Sequence, residues 1–421
     1  MGTEARPGEQ GPDGRGGQDL GRGGDARSVP LSVVTTSEHG DDTAGPARGA
    51  TGLAVLSGWP DGPPLEPPDG VPGGLDRLCA EIARSSARVG RGVHPDWEEL
   101  VTVRARALGL RRRGRTSPNG SCRLLRAPDG WMAVNLARPE DVAAVPAVVE
   151  GGHGADPWEA LGAALATRPA AEVVARARLL GVPAAPLGHR LTGATAPWSS
   201  TPRWGPSPPR DLGELAVLDL SSMWAGPLAA RILADCGARV VKVESVSRPD
   251  GARRSPAFYR SLHAGDQEVL TLDFAAPHDR GRLVALVEEA DVVIESSRPR
   301  ALEQLGAGPD TVDGPPGKVW LSITGYGRDH PGRDWVAFGD DAAAAGGLVA
   351  WEDDDHPVFC GDALADPVTG MAAAAAALAA IADGGGALLD VPMQRCAAAL
   401  VAQPARWTTR PATTVAATGG A

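Results

Sequence analysis

The chain has 421 residues, enough for two or three domains and a sizeable core, and its 43% hydrophobic content fits a globular protein. It carries 55 glycines and 38 prolines but only 4 Phe and 2 Tyr, a turn-rich composition. A formal net charge of −11 excludes a general basic field, so no nucleic-acid partner is expected and any anionic ligand must be held locally. The cysteines Cys79, Cys122, Cys236, Cys360 and Cys396 are scattered without a Cys-x-x-Cys pair, so neither a disulfide framework nor a zinc site is indicated, and a reducing cytoplasm is the expected compartment. The longest apolar run, Met371 to Ala382, is 12 residues, short of the roughly 18 to 20 that span a bilayer. With no apolar signal segment near the start, no membrane association is expected. Lys242 and Lys318 are the only lysines among 41 basic residues, which reads as coding bias.

Residues 1–50 hold 12 glycines and no aromatic residue, a composition that predicts a disordered tail. A first module, 51–187, opens with a Pro/Gly-rich loop. Helical spacing of Leu75, Leu78 and Ile82, and again of Trp97, Leu100, Val101, Ala105 and Leu108, predicts two helices. Ser121 to Leu125 and Trp131 to Leu136 predict a hairpin around Asp129-Gly130. A helix over Trp158 to Leu180 and a short strand over Val182 to Ala185 complete this α+β module. Residues 188–211 are Pro-rich and aperiodic, which predicts an interdomain linker.

From 212 to 402 short apolar runs alternate with helical ones. Strands are predicted at Leu215 to Leu220, Arg239 to Glu244, Val269 to Leu272, Asp291 to Glu295, Lys318 to Ile323 and Ala387 to Val391. Helices are predicted at Pro227 to Cys236, Asp279 to Glu289, Arg300 to Leu305 and Met371 to Ala382. This is the pattern of an open, doubly wound, Rossmann-like α/β parallel sheet, whose ligands lie beyond the carboxyl ends of the strands. The loops after Leu220, Glu244, Glu295 and Ile323 are therefore candidate binding loops. The last segment, 403–421, is read as a second disordered tail.

Most familiar chemical signatures are absent. The first βα turn, Ser221-Ser-Met-Trp-Ala-Gly-Pro, has one glycine where a dinucleotide fingerprint needs three, and there is no Gly-Lys-Ser/Thr loop or Gly-x-Ser-x-Gly elbow. No two histidines share i, i+3 or i+4 spacing, so they read as solvated surface residues. Arg111 to Arg115 reads as a solvated basic loop and Gly384-Gly-Gly386 as a turn. Asp366 stands out because it precedes the apolar Met371 helix, with Asp362 in the same Gly/Pro loop. As an N-cap with Pro367 at N1 it is a structural residue. Among free helix N–H groups it is also placed to meet an oxyanion.

The order of motifs carries a resemblance. Leu218-Asp-Leu with Ala225-Gly-Pro, Val241-Lys-Val-Glu, Thr271-Leu-Asp, Val293-Ile-Glu with Arg298-Pro, Ser322-Ile-Thr-Gly-Tyr-Gly and Leu388-Leu-Asp-Val stand in register over residues 213–400. Together they resemble the family III CoA-transferases, the group of carnitine CoA-transferase, formyl-CoA transferase and the α-methylacyl-CoA racemases. The resemblance implies that Ala365-Asp-Pro-Val-Thr-Gly-Met holds the catalytic aspartate, Asp366, with Asp362 as runner-up. It implies CoA contacts at Trp224, Ala225, Ser245, Leu272, Asp273, Phe274, Ala275, Ser296, Ser297, Arg298, Gln304, Val336, Ala337, Phe338 and Gly339, and flexible backbone near the reacting carbonyl at Gly346-Gly347. It also implies an acyl-CoA and a free carboxylic acid as substrates, no tightly bound cofactor or metal, and a homodimer.

Residues 51–187 resemble the smaller domain that usually follows the large one, which implies a rearranged member of the family. Trp224 and Gln304 replace a frequent Gln and Arg, and Ala264-Gly-Asp-Gln-Glu-Val stands where Asn-x-x-Lys-Arg-Ser is common. Asp266 and Glu268 beside CoA phosphates imply either compensation by Arg253, Arg254 and Arg298 or weakened CoA binding. Two alternatives follow. A racemase needs acid/base groups about the α-carbon, and Phe338-Gly-Asp-Asp-Ala lacks the family's His. A non-catalytic CoA-binding paralogue would bind CoA without exchange.

Overall fold

The computed structural model describes residues 52–151, 156–188, 196–263, 267–353 and 355–401. The expected tails at 1–50 and 403–421, and Asp266, lie outside the described residues.

In chain order the first elements are α1 (Val71–Val89), α2 (Trp97–Leu108), β1 (Cys122–Ala127), β2 (Gly130–Asn135), α3 (Pro139–Val149), α4 (Pro157–Leu165), α5 (Ala170–Leu179) and β3 (Ala184–Pro186). Then come β4 (Ser199–Pro202), β5 (Ala216–Asp219), α6 (Ala225–Asp235), β6 (Arg239–Ser245), α7 (Pro256–Leu262), β7 (Glu268–Leu272), α8 (Pro277–Glu289), β8 (Val292–Glu295) and α9 (Pro299–Gln304). The chain closes with β9 (Val319–Thr324), α10 (Gly339–Ala345), β10 (Val349–Trp351), β11 (Pro357–Phe359), α11 (Ala365–Ala382), β12 (Ala387–Pro392) and α12 (Met393–Val401).

The large sheet has seven strands in the order β4-β12-β9-β8-β5-β6-β7, parallel except for the antiparallel edge strand β4. From β5 the chain builds outward through β6 and β7, then returns to β8, β9 and β12 on the other side. The order thus reverses between β5 and β8, which is where the doubly wound rule places a ligand. Val292, Val293 and Ile294 are fully buried because helices cover both faces. Leu283 and Val287 of α8 and Leu302 of α9 pack on one face, and α6 and α11 lie on the other.

Helix α11 is alanine-rich, apolar on all sides and 89% buried. By length and composition it could cross a membrane. Here α1, α6 and α12 surround it instead. Its small side chains permit close approach: a Cβ at Gly370 would lie 2.7 Å from the Ala225 carbonyl oxygen and 3.0 Å from Leu228. Lys318 ends α8, its ammonium donating to the Val287 carbonyl, to that of Glu288 at 3.3 Å and to that of Ala290 at 2.8 Å. Burial lowers its pKa to about 8.

Several expectations change. The expected 51–187 module divides: α1 and α2 join the core of the large sheet through Leu75, Leu78, Ile82, Leu100 and Val101, while β1, β2 and β3 with α3, α4 and α5 form a separate small core. Periodicity shows that a helix has an apolar face without showing which surface covers it. The expected 158–180 helix breaks at Pro169, which cannot donate a helical N–H, and Asp129 accepts from the N–H of Ala170 at 2.7 Å to start α5. In the expected linker, residues 189–195 lie outside the described residues, and 199–202 forms edge strand β4. Arg112 is no solvated loop residue, since it donates to the Trp59 and Gly62 carbonyls at 2.7 Å. His263 is buried, stacked on Tyr259 with ring centroids 3.9 Å apart.

Replacing Gly370 by Val is expected to cost about 1–3 kcal/mol through overpacking of α6 against α11. Gly281→Ala, on exposed α8 with nothing within 4 Å of the new Cβ, is expected to stabilise by about 0.5–1 kcal/mol. Urea denaturation of both variants checks the pair of signs.

Candidate functional site

The loops that leave β5, β6 and β8 are tied together around Lys242. Its side chain is fully buried, and its ammonium lies 3.3 Å from Asp219, 3.1 Å from Asp250 and 2.8 Å from the Ser221 carbonyl. Burial disfavours this charge, yet the two carboxylates hold the pKa above the ordinary lysine value. Asp250 also accepts from the N–H of Met223 at 2.9 Å, fixing Met223 at φ 72°. Ser296 accepts from the N–H of Ser222 at 3.2 Å, which joins the two loops at the reversal point. Next to this network Glu244 is held at about 2, because Arg253, the Asp250 N–H and Tyr259 outweigh its burial.

One helix layer above lies Asp366, half-buried in the first turn of α11. It is a helical residue and not the N-cap, since α11 begins at Ala365 and Pro367 falls within the first turn, where helix N–H groups lack partners anyway. Gly370, one turn further on, touches Ala225, so the start of α11 adjoins the start of α6 and the loop after β5. The Gly339 backbone favours the ionised form of the Asp366 carboxylate, and any Cβ at Gly339 would strike both that carboxylate and the Ala363 carbonyl. Glycine is therefore required where α10 meets α11.

Two more carboxylates, Asp340 and Asp362, are buried beside Asp366. Asp340 accepts from Asn119 at 2.8 Å and from the Ala363 N–H at 2.8 Å, which pins Ala363 at φ 44°. Asp362 lies 3.2 Å from Arg104, a residue of α2 whose guanidinium also sits 5.8 Å from the Trp224 ring centre. Burial, with Asp340 and Asp362 nearby, raises Asp366 to about 7 against the opposing pull of Arg104. Asp341, which accepts from Asn135 at 3.1 Å and from the Phe338 N–H at 3.0 Å, is raised to about 7 by burial. A carboxylate with a raised pKa is a stronger nucleophile and base once ionised.

Of the residues expected to touch CoA, Trp224, Ala225, Ser296, Ser297 and Arg298 gather at the reversal point between β5 and β8, and Val336, Ala337, Phe338 and Gly339 lead into α10 against Asp366. Ser245 ends β6, while Leu272, Asp273, Phe274 and Ala275 leave edge strand β7, and Gln304 is exposed at the end of α9. Trp224, Ala225 and Leu272 are buried and offer almost no side-chain surface to a ligand. Gly346-Gly347 follows the carboxyl end of α10, a helix length from Gly339, and is removed from the position expected for it. Glu268 opens β7 at the amino edge of the sheet, a strand's length from Leu272, so it does not face the binding edge. Arg253 is committed to Glu244 at 2.7 Å, whereas Arg298 has partial burial and the charges of Arg300, Arg138 and Arg248 acting on it, with Asp334 opposing them.

Sequence reading missed Arg104, Asp340, Asn119 and Lys242. Arg104 left a trace: it stands four residues after Leu100 and three after Val101, a charge inside the apolar stripe of α2.

A family model described as CoA-transferase family III matches residues 212–421. A succinyl-CoA–D-citramalate CoA-transferase from Chloroflexus aurantiacus is 31% identical over 184 residues, covering 41% of this chain and 46% of that protein. A succinyl-CoA:mesaconate CoA-transferase from Haloarcula hispanica is 33% identical over 191 residues, covering 40% and 47%. The chain thus spans about half the length of the curated relatives it matches. Among solved structures, a CaiB/BaiF family protein from Brucella suis is 27% identical with a TM-score of 0.39, covering 46% of this chain and 55% of that one. A hypothetical protein from Mycobacterium tuberculosis is 30% identical with a TM-score of 0.41, covering 46% and 58%.

Lys242→Met leaves Asp219 and Asp250 buried without their cation and is expected to cost about 3–5 kcal/mol. Chemical denaturation checks this. A loss below about 1 kcal/mol would assign the network a marginal role.

Proposed function

The chain belongs, through residues 212–421, to CoA-transferase family III, and on that premise we propose that it moves CoA from an acyl-CoA to a free carboxylic acid with Asp366 as nucleophile. One observation carries the reading. The aspartate in the register of the family's catalytic residue is a half-buried carboxylate, raised to about 7, at the start of α11 and beside the reversal point of the sheet.

In the first step an Asp366 oxygen bonds to the thioester carbonyl carbon, the C–S bond breaks and CoA thiolate leaves with the electron pair. The product is a mixed anhydride of the acyl group and Asp366. The thiolate then attacks the aspartyl carbonyl and releases the donor's carboxylate, leaving an aspartyl-CoA thioester. The acceptor carboxylate attacks that thioester and expels thiolate, and the thiolate takes the acceptor's acyl carbon, freeing Asp366. No net proton or electron is consumed. Held reactants and a water-poor site supply the rate that a carboxylate lacks in bulk water. Arg298, at the loop after β8, suits CoA phosphates. The same reading has the protein acting in the cytoplasm as a homodimer, with no tightly bound cofactor.

Incubation with a panel of acyl-CoAs and hydroxylamine, followed by peptide mass spectrometry, is expected to show modification at Asp366 that Asp366→Ala abolishes. Turnover in that variant is expected to fall at least ~10³-fold. CoA binding without modification by any donor would favour the non-catalytic paralogue. α-Proton exchange on a bound acyl-CoA without CoA transfer would favour the racemase. Because the attacking form is the carboxylate, the rate of modification is expected to rise with pH through about 7.

A further inference from the structure

We propose that Arg104, which reaches the site on α2 from outside the segment matched by the family model, is the positioning residue that supplies the counter-charge to the cluster of Asp340, Asp362 and Asp366. The inference rests on the reading of Asp366 as nucleophile and adds a residue to it that neither the family match nor the motif order supplies.

The geometry begins with the charge balance. Three aspartates, Asp340, Asp362 and Asp366, converge where α10, the 360–364 loop and α11 meet, and the Arg104 guanidinium is held against one of them, Asp362, close enough to act on Asp366. Arg104 is itself fixed on both sides. Its Nη1 is 3.2 Å from Asp362 Oδ1, and its Cζ stands 5.8 Å from the centre of the Trp224 ring. Trp224 is in turn locked edge-on against Phe258 at 5.3 Å. The side chain of Asp362 is fully buried and among the described residues its second oxygen has no hydrogen-bond partner, so Arg104 is the cation that offsets its charge. Asp340 is already satisfied by neutral donors, the Asn119 amide and the Ala363 N–H, neither of which offsets its charge.

The groups acting on Asp366 can therefore be sorted by element. Asp340 from α10 and Asp362 from the preceding loop repel its ionised form, and the Gly339 backbone and Arg104 from α2 favour it. Asp341, the next residue on α10, is engaged by Asn135 and the Phe338 N–H. A guanidinium does not titrate in the working range, so its contribution is constant with pH. A neutral residue at 104 removes that contribution from all three aspartates at once. Position 104 thus tunes Asp366 through charge.

The test is a carboxyl titration of the full chain labelled with ¹³C at the aspartate side-chain carboxyl, with the Asp366 resonance assigned by its loss in Asp366→Asn. In Arg104→Gln, which keeps a donor for Asp362, and in Arg104→Met, which keeps the stem against Trp224, the Asp366 midpoint is expected to rise by about 1–3 pH units, the range an opposite charge at close quarters commands. Two neutral variants with different packing guard against a folding failure in either. Arg104→Lys is expected to restore most of the wild-type midpoint, a rescue that a merely structural role does not predict. An unchanged midpoint in either folded neutral variant overturns the proposal, as does an equal rise in Arg104→Lys.

The hydroxylamine trap run on the same variants separates this inference from the function it rests on. If the midpoint moves and no acyl-CoA modifies wild-type Asp366, the electrostatic role of Arg104 stands and the transferase reading falls. If Asp366 is modified but its midpoint ignores position 104, Arg104 alone falls. With both in place, the acid limb of the modification rate moves to higher pH in step with the NMR midpoint.

Discussion

The constraint on which this architecture depends is the all-round burial of α11. A helix made largely of alanine presents no polar face, so it must be enclosed, and its short side chains yield stability only if neighbours come close. Gly370 against Ala225 sets that closeness for α6. The remaining sides are closed by α12 and by α1, which comes from the N-terminal part of the chain. Once α1 is packed there, α2 follows it to the start of α11, and a residue far from the family-matched segment arrives beside Asp366.

Charges inside the molecule sit where helices and strands end, because those ends supply the partners that make burial tolerable. Lys318 closes the carbonyl end of α8, and Lys242 gathers the loops after β5 and β6. The two lysines in an arginine-dominated chain thus both occupy buried positions, where a compact ammonium fits and a planar guanidinium would need more room. The Asp366 neighbourhood differs in kind: carboxylates outnumber cations, so protons remain associated near neutral pH. Such an imbalance weakens the fold locally while preparing a group for chemistry.

Much of this was legible beforehand. Strands β5, β6, β8, β9 and β12 are short apolar runs bounded by turn residues, and their alternation with helical spacing predicted a parallel sheet with its binding loops at the carboxyl edge. Asp366 was legible as a carboxylate entering an apolar helix, and the motif order carries the role proposed for it. What escaped was long-range. Strand β4 hides in a Pro-rich stretch because an edge strand needs few apolar residues and tolerates proline. The short helix α10 escaped for want of a full amphipathic period.

Sequence alone was enough for most of the local conformations and for the doubly wound alternation, because these depend on neighbours within a turn or two of chain. The tertiary structure alone decided which surface covers α1, that Asn119 and Asn135 reach Asp340 and Asp341, and that Arg104 faces Asp362 across 258 residues of chain. Those pairings are set by how apolar faces close over α11, and periodicity fixes the existence of a face but not its partner.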